Sequence, residues 1–188
     1  MPSSTAPGAG DGPGGGPGPG AGDGNGNRKR LTHVDESGAA RMVDVGAKDV
    51  TRRSATARGR VEVTAEVVAL LRGEGVPKGD ALGVARVAAI MAAKRTPDLV
   101  PLCHPIAISG VDVDLVVTDD AVEVTATVRT ADRTGVEMEA LTAVTVAALT
   151  VIDMVKAVDK HARITDVEVV AKSGGRSGDW TIEQGRSS

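Results

Sequence analysis

Ile106-Ala-Ile-Ser-Gly-Val-Asp-Val-Asp-Leu-Val-Val-Thr-Asp-Asp-Ala-Val-Glu-Val-Thr-Ala-Thr-Val-Arg-Thr130 reads as two strands and the turn that joins them. Thr118-Asp119-Asp120 supplies the tight turn, so 106–117 and 121–130 form a hairpin. Moving towards the N-terminus, Lys78-Gly79-Asp80 opens a helix, with Asp80 as N-cap and Leu82, Ala85, Ala89 and Ala93 along its buried side. Thr64 caps an earlier helix that runs to Leu71 and stops at Gly73 and Gly75. Residues 53–63 set Ser54, Thr56, Arg58 and Arg60 against Ala55, Ala57, Val61 and Val63, the period of a half-buried strand. Residues 41–45 suggest one more short strand. On the other side of the hairpin, a long helix runs from Glu137 to Asp159, and a last strand, Ile164–Ala171, precedes a Gly-rich tail. Without the short first strand the order is strand, two helices, strand, strand, helix, strand. The expected fold class is α+β: a ferredoxin-like βαββαβ antiparallel sheet with helices on one face and one extra helix.

Residues 1–30 are of a different kind: Gly, Pro, Ala and Ser, closed by Arg28-Lys29-Arg30. Such a segment buries too little apolar surface to offset its ordering entropy and is expected to be a disordered tail. It lacks the apolar stretch of a signal peptide. Residues 31–188 are the size of one domain. The chain carries a formal charge of -3, has no Phe or Tyr, and has Trp180 as its one aromatic residue. Phosphate contacts need excess cations and single strands need stacking platforms, so a nucleic-acid partner is not expected. One cysteine makes no internal disulfide, and no apolar run of membrane-spanning length is free of polar residues. A cytoplasmic protein without membrane attachment is the expectation. Val, Ala, Leu, Ile and Met must build the core. Small side chains bury little area each, at roughly 25 cal/mol per Å², so self-association is expected to add to the buried surface.

Three groups of residues could do chemistry. Pro101 and Pro105 frame Leu102, Cys103 and His104 and should hold them stiff and extended, since proline fixes φ and restricts the residue before it. His104 reads equally as a presented imidazole or as a satisfied structural histidine. No CxxC partner supports zinc, and no nucleophile elbow supports hydrolase chemistry. In the long helix, Asp153 and Lys156 share a face, either as a surface ion pair or as a functional pair on a helix buried nearly all round. Glu137 and Glu139 flank Met138 at its other end, where they could simply complement the helix dipole. Glu139 falls within about 40° of Asp153 around the helix but about 21 Å along it. Two antiparallel copies could bring Glu139 of one chain beside Asp153 and Lys156 of the other, giving a site shared between subunits. Among the scattered cations Lys48, Arg52, Arg53, Lys78, Lys94, Arg95, Lys156, Lys172 and Arg176, Lys78 and Lys172 stand beside glycine-containing turns suited to phosphate. Lys172-Ser-Gly-Gly-Arg-Ser-Gly178 is not a P-loop, and a flexible C-terminus fits it as well.

Leu31-Thr-His-Val34, Met42-Val-Asp-Val45, Lys78-Gly-Asp80, Ala93-Lys-Arg-Thr96, Leu102-Cys-His-Pro105, Thr134-Gly-Val-Glu-Met-Glu-Ala-Leu-Thr142, Asp153-Met-Val-Lys-Ala157 and Ala171-Lys-Ser-Gly-Gly-Arg-Ser-Gly-Asp179 occur in this order. Together they resemble the cyclic pyranopterin monophosphate synthase family of molybdenum cofactor biosynthesis, over essentially all of 31–180. The resemblance implies a lyase that converts a 3',8-cyclo-7,8-dihydro-GTP to cyclic pyranopterin monophosphate and expels diphosphate. It also implies a ferredoxin-like homohexamer, a trimer of dimers, with sites at subunit interfaces. Catalytic roles would fall on Asp153, Lys156 and Lys78. Leu102, Cys103, His104, Met138 and Glu139 would bind substrate, as would Glu137 and Lys172. Arg53, with Arg52 as a rival, would hold phosphate. In that scheme Lys156 is the general acid/base oriented by Asp153, while Lys78 and Arg53 stabilise the leaving diphosphate. Glu139 accepts N–H donors of the guanine-derived ring, Cys103 is a packed thiol and His104 a substrate ligand. No metal site and no required cofactor are expected, Mg²⁺ entering only as a companion of the triphosphate. The rival classes are an oligomeric shell that binds a phosphorylated ligand without turnover, and a metal-dependent phosphohydrolase.

Overall fold

The computed structural model describes residues 32–35, 37–73, 80–176 and 178–182. All of these belong to one compact unit, Thr32–Ser188. The expected disordered tail at 1–30, Gly75 and Lys78 lie outside the described residues.

Strands β1 (Thr51–Glu62), β2 (Ile108–Val117), β3 (Ala121–Asp132), β4 (Arg163–Ser173) and β5 (Trp180–Thr181) form one sheet in the order β2-β3-β1-β4-β5. Every neighbouring pair is antiparallel. The first four strands alone give the ferredoxin-like order. Helices α1 (Ala65–Arg72), α2 (Ala81–Ala93), α3 (Thr96–Leu99) and α4 (Glu137–Val155) complete the fold. The fold class matches the one expected.

β1 is central because its two faces separate cleanly. Ala55, Ala57 and Val61 are buried opposite Val128, Ala126 and Val122 of β3. On the reverse face Thr56 and Thr127 share a hydrogen bond at 2.8 Å, and Arg58 donates twice to Glu168. Gly59 interrupts the inward row, and a Cβ there would lie 2.6 Å from Val144 Cγ1. The missing side chain lets α4 settle onto the sheet. α2 meets α4 through Ala85, Ala89 and Ala93 on one side and Ala140, Ala143 and Ala147 on the other. Valine is the largest fully buried side chain. A core of such small residues leaves larger apolar groups outside: Met91 is 57% exposed, and Leu99 and Leu149 are each 59% exposed. By length and composition alone α4, at a mean hydropathy of 1.7, could cross a bilayer, but half of it is buried in the protein.

Several boundaries differ from the expectations. Residues 41–45 form no strand. Both sides of β1 are already occupied, and the segment instead follows an isolated Val34–Ala40 bridge, with Arg41 N–H donating to His33 O. The long helix ends at Val155 rather than Asp159. Asp159 turns away and accepts from the amides of His161 and Thr64, each at 2.8 Å, which hold its carboxyl below the usual range. Thr64 occupies the N-cap position of α1, but its side chain makes no capping bond. Asp80 caps α2 as expected, accepting from Gly83 N–H. The proline-framed stretch is less extended than expected. Thr96–Leu99 makes one helical turn and Cys103 N–H donates to Val100 O, so Leu102 lies in a turn. The Gly-rich tail is a connection to β5, where Trp180 pairs with Lys172.

Candidate functional site

The first turn of α4 supplies two carboxylates with opposite fates. Glu137 forms a close ion pair with Lys172 of β4, with side chains 24% and 16% exposed. Gly135 makes this possible, because a Cβ there would collide with the Glu137 carboxylate. Glu139 is 2% exposed, and its Oε2 has no hydrogen-bond partner among the described residues. Burial, with the nearby Glu137 charge adding, pushes its acid up to about 7. Burial, then the proximity of Glu139, raises the Cys103 thiol above its ordinary value. Met138 between the two glutamates is exposed, while Leu102, Cys103 and His104 are half-buried.

Next to Lys172 along the sheet lies a polar pocket of about 330 Å³, lined by Ala47, Lys48, Asp49, Thr51, Arg53, Gly175 and Arg176. Arg53 is anchored by donating Nε–H to Asp132 O at 2.9 Å. Arg133, the next residue, donates to Lys48 O at 3.0 Å and so fixes the segment on the pocket's other side. Gly174 and Gly175 have φ of +81° and +80°. A Cβ on the first would strike the Arg52 carbonyl, and on the second the Arg53 guanidinium. Only glycine lets this turn close over Arg53, with Gly174 N–H held by Asp179 at 2.7 Å. Three cations around one concavity suit a polyanion, since Arg and Lys donors match phosphate oxygens.

Asp153 and Lys156 stand at the far end of α4, Nζ 2.5 Å from Oδ1, with side chains 56% and 59% exposed. The helix is therefore not buried all round. Met138, Thr145, Leu149, Asp153 and Lys156 line one exposed stripe. At ~1.5 Å per residue, about 21 Å of helix separates Glu139 from Asp153. A single chain thus gathers Glu137, Lys172 and Arg53 at one end, with Cys103 beside Glu139, and leaves Asp153 and Lys156 at the other. Lys78 lies outside the described residues. Of the rival arginines, Arg53 lines the pocket and Arg52 is exposed outside it. Among the described residues no three His, Cys, Asp or Glu side chains are grouped to hold a metal ion.

Lys48 and Arg176 are pocket residues that sequence reading left among undistinguished cations, and Asp132 and Arg133 drew no notice. No local pattern marks them. They meet because β1, the β3 end and the β4–β5 turn converge.

The model of the MoaC family matches residues 42–175. The chain is 76% identical over 152 residues to the cyclic pyranopterin monophosphate synthase of Streptomyces coelicolor, covering 81% of this chain and 89% of that protein. It is 74% identical over 156 residues to the protein of the same name from Nocardioides, covering 81% and 96%. Identity to cyclic pyranopterin monophosphate synthase 2 of Mycobacterium tuberculosis is 62% over 151 residues, covering 80% and 90%.

Proposed function

The chain belongs to the MoaC family, and on that premise we propose that it is a lyase of molybdenum cofactor biosynthesis acting on (8S)-3',8-cyclo-7,8-dihydroguanosine 5'-triphosphate. The product is cyclic pyranopterin monophosphate, released with diphosphate. The observation that carries this reading is the cationic pocket of Lys48, Arg53 and Arg176 beside the half-buried Glu137–Lys172 pair. It supplies a seat for a triphosphate and, next to it, a partly desolvated wall for the base-derived ring.

In this reading Arg53, with Lys48 and Arg176, fixes the phosphates, Glu137 and Lys172 bind the substrate beside them, and pre-aimed guanidinium and ammonium donors stabilise charge growing on the departing diphosphate. Lys78 joins them. Lys156 transfers protons during the rearrangement, held in place by Asp153. Leu102, Cys103, His104 and Met138 shape the ring's side of the site. Because Asp153 and Lys156 are far from Glu139 on one helix, the complete site takes these residues from two antiparallel copies of α4. The exposed Leu149 between them supports that packing, and exposed Val84, Val87 and Met91 on α2 offer apolar surface for further contacts. The assembly proposed is a homohexamer, a trimer of dimers, in the cytoplasm, using neither nucleic acid nor membrane. No cofactor is required, and Mg²⁺ travels with the triphosphate.

Incubation with the cyclic intermediate should release diphosphate and a pterin in equal amounts. Diphosphate without pterin would reassign the chain to hydrolysis, and binding with neither product would make it a shell.

A further inference from the structure

Lys48 enters the cationic pocket from a stretch of chain that has little else to hold it. Residues 42–49 form no strand or helix, and none of them is buried. None belongs to the hydrophobic core. Gly46 N–H donates to Asp44 and Lys48 N–H to Val45 O, so these bonds stay inside the stretch. Among the described residues, one hydrogen bond reaches it from another element: Arg133 Nε–H donates to Lys48 O at 3.0 Å. The residue before Arg133 serves a second pocket cation, since Asp132 O accepts from Arg53 Nε–H at 2.9 Å. The Asp132 carboxylate fixes this corner in turn, accepting from the amides of Arg133 at 2.7 Å and Ala107 at 3.4 Å. Adjacent Cα atoms are held ~3.8 Å apart, so one corner at the end of β3 anchors two of the three cations relative to each other.

We propose that Arg133 is a positioning residue for polyphosphate binding: its hydrogen bond to the Lys48 carbonyl holds Lys48 in the pocket that Arg53 and Arg176 share. Arg133 is exposed and does not line that pocket, so it acts through the main chain of Lys48 and not by touching the ligand. Cations already in place spare the ligand the entropy of ordering them. A Lys48 cut loose from Arg133 therefore costs affinity although its charge is still present. That the anion is a triphosphate rests on the function proposed above; the hold on residues 42–49 does not.

Two variants of the full chain separate the hydrogen bond from the charge. Glutamine carries its amide nitrogen as many bonds from Cα as arginine carries Nε, so Arg133→Gln keeps the donor and removes the charge. Arg133→Met removes both. Calorimetry with inorganic tripolyphosphate should find Arg133→Met about three- to tenfold weaker than wild type, and Arg133→Gln close to wild type. Adding Arg133→Met to Lys48→Met should cost little more than Lys48→Met alone, because the two act as one unit. If Arg133→Gln binds as weakly as Arg133→Met, or if the two methionine variants are additive, Arg133 works by its own charge and the proposal fails. Hydrogen exchange without ligand reads the hold directly. Amides of residues 42–49 should exchange faster in Arg133→Met and at the wild-type rate in Arg133→Gln, and unchanged exchange in Arg133→Met would overturn the proposal. If tripolyphosphate does not bind wild type, the phosphate reading of the pocket falls with the role built on it, and the exchange result still decides whether Arg133 holds Lys48.

Discussion

Glu139 shows how far one side chain's surroundings can move its chemistry. The same residue type two positions earlier is paired with Lys172, while Glu139 is pushed up to about 7 by burial and by its neighbour. Linkage then has a definite sign. The folded state binds the proton more tightly than the unfolded chain, so the stabilisation is complete below the ordinary value of 4.5 and is lost as the pH climbs through about 7. One unit is worth about 1.4 kcal/mol, so this group should withdraw about 3 kcal/mol across that window. Urea unfolding of wild type and Glu139→Gln at either end of the window measures it. The variant's stability should change less with pH, and a parallel loss in both proteins would assign the slope to other groups. The sequence shows the glutamate and its motif but not this shift, because the shift comes from the protein packed around the carboxyl.

The contact between β1 and α4 depends on Gly59. A methyl group there would press on Val144 at 2.6 Å, where the helix lies directly on the strand. Gly59→Ala should therefore cost about 1–3 kcal/mol through overpacking. The double variant Gly59→Ala/Val144→Ala should recover part of that loss, which thermal unfolding of the three proteins would reveal through non-additivity. At this scale the sequence was largely readable. The alternation in 53–63, the Thr118-Asp119-Asp120 turn and the Asp80 cap all correspond to observed elements. It misled where an element needs a distant partner. The run at 41–45 has strand-like composition but leads into a β1 whose two sides are already occupied, and β5 exists only because the glycine turn returns Trp180 to Lys172.

At the scale of the molecule, one chain is an incomplete catalyst in the function proposed. The cationic pocket and Glu139 lie at one end of α4 and Asp153 with Lys156 at the other, on a stripe that also exposes Leu149. Complementation is the direct test. Glu139→Ala and Lys156→Ala chains, each inactive alone, should regain activity when unfolded together and reassembled, because some shared sites then take both intact residues. Native mass spectrometry of the mixture checks that mixed oligomers formed. Mixed oligomers without activity would place each site within a single chain.

The sequence by itself determined the α+β order, the polar and apolar faces of β1, and the family to which the chain belongs. These follow from periodicity, turn chemistry and strings of adjacent residues, all of which are local. Only the tertiary structure decided that Arg53 rather than Arg52 lines the pocket, that Lys48 and Arg176 join it, and that Glu137 pairs with Lys172 while Glu139 Oε2 finds no partner among the described residues. Those outcomes depend on which distant segments converge and on how much water they exclude, and neither is written in the spacing along a chain.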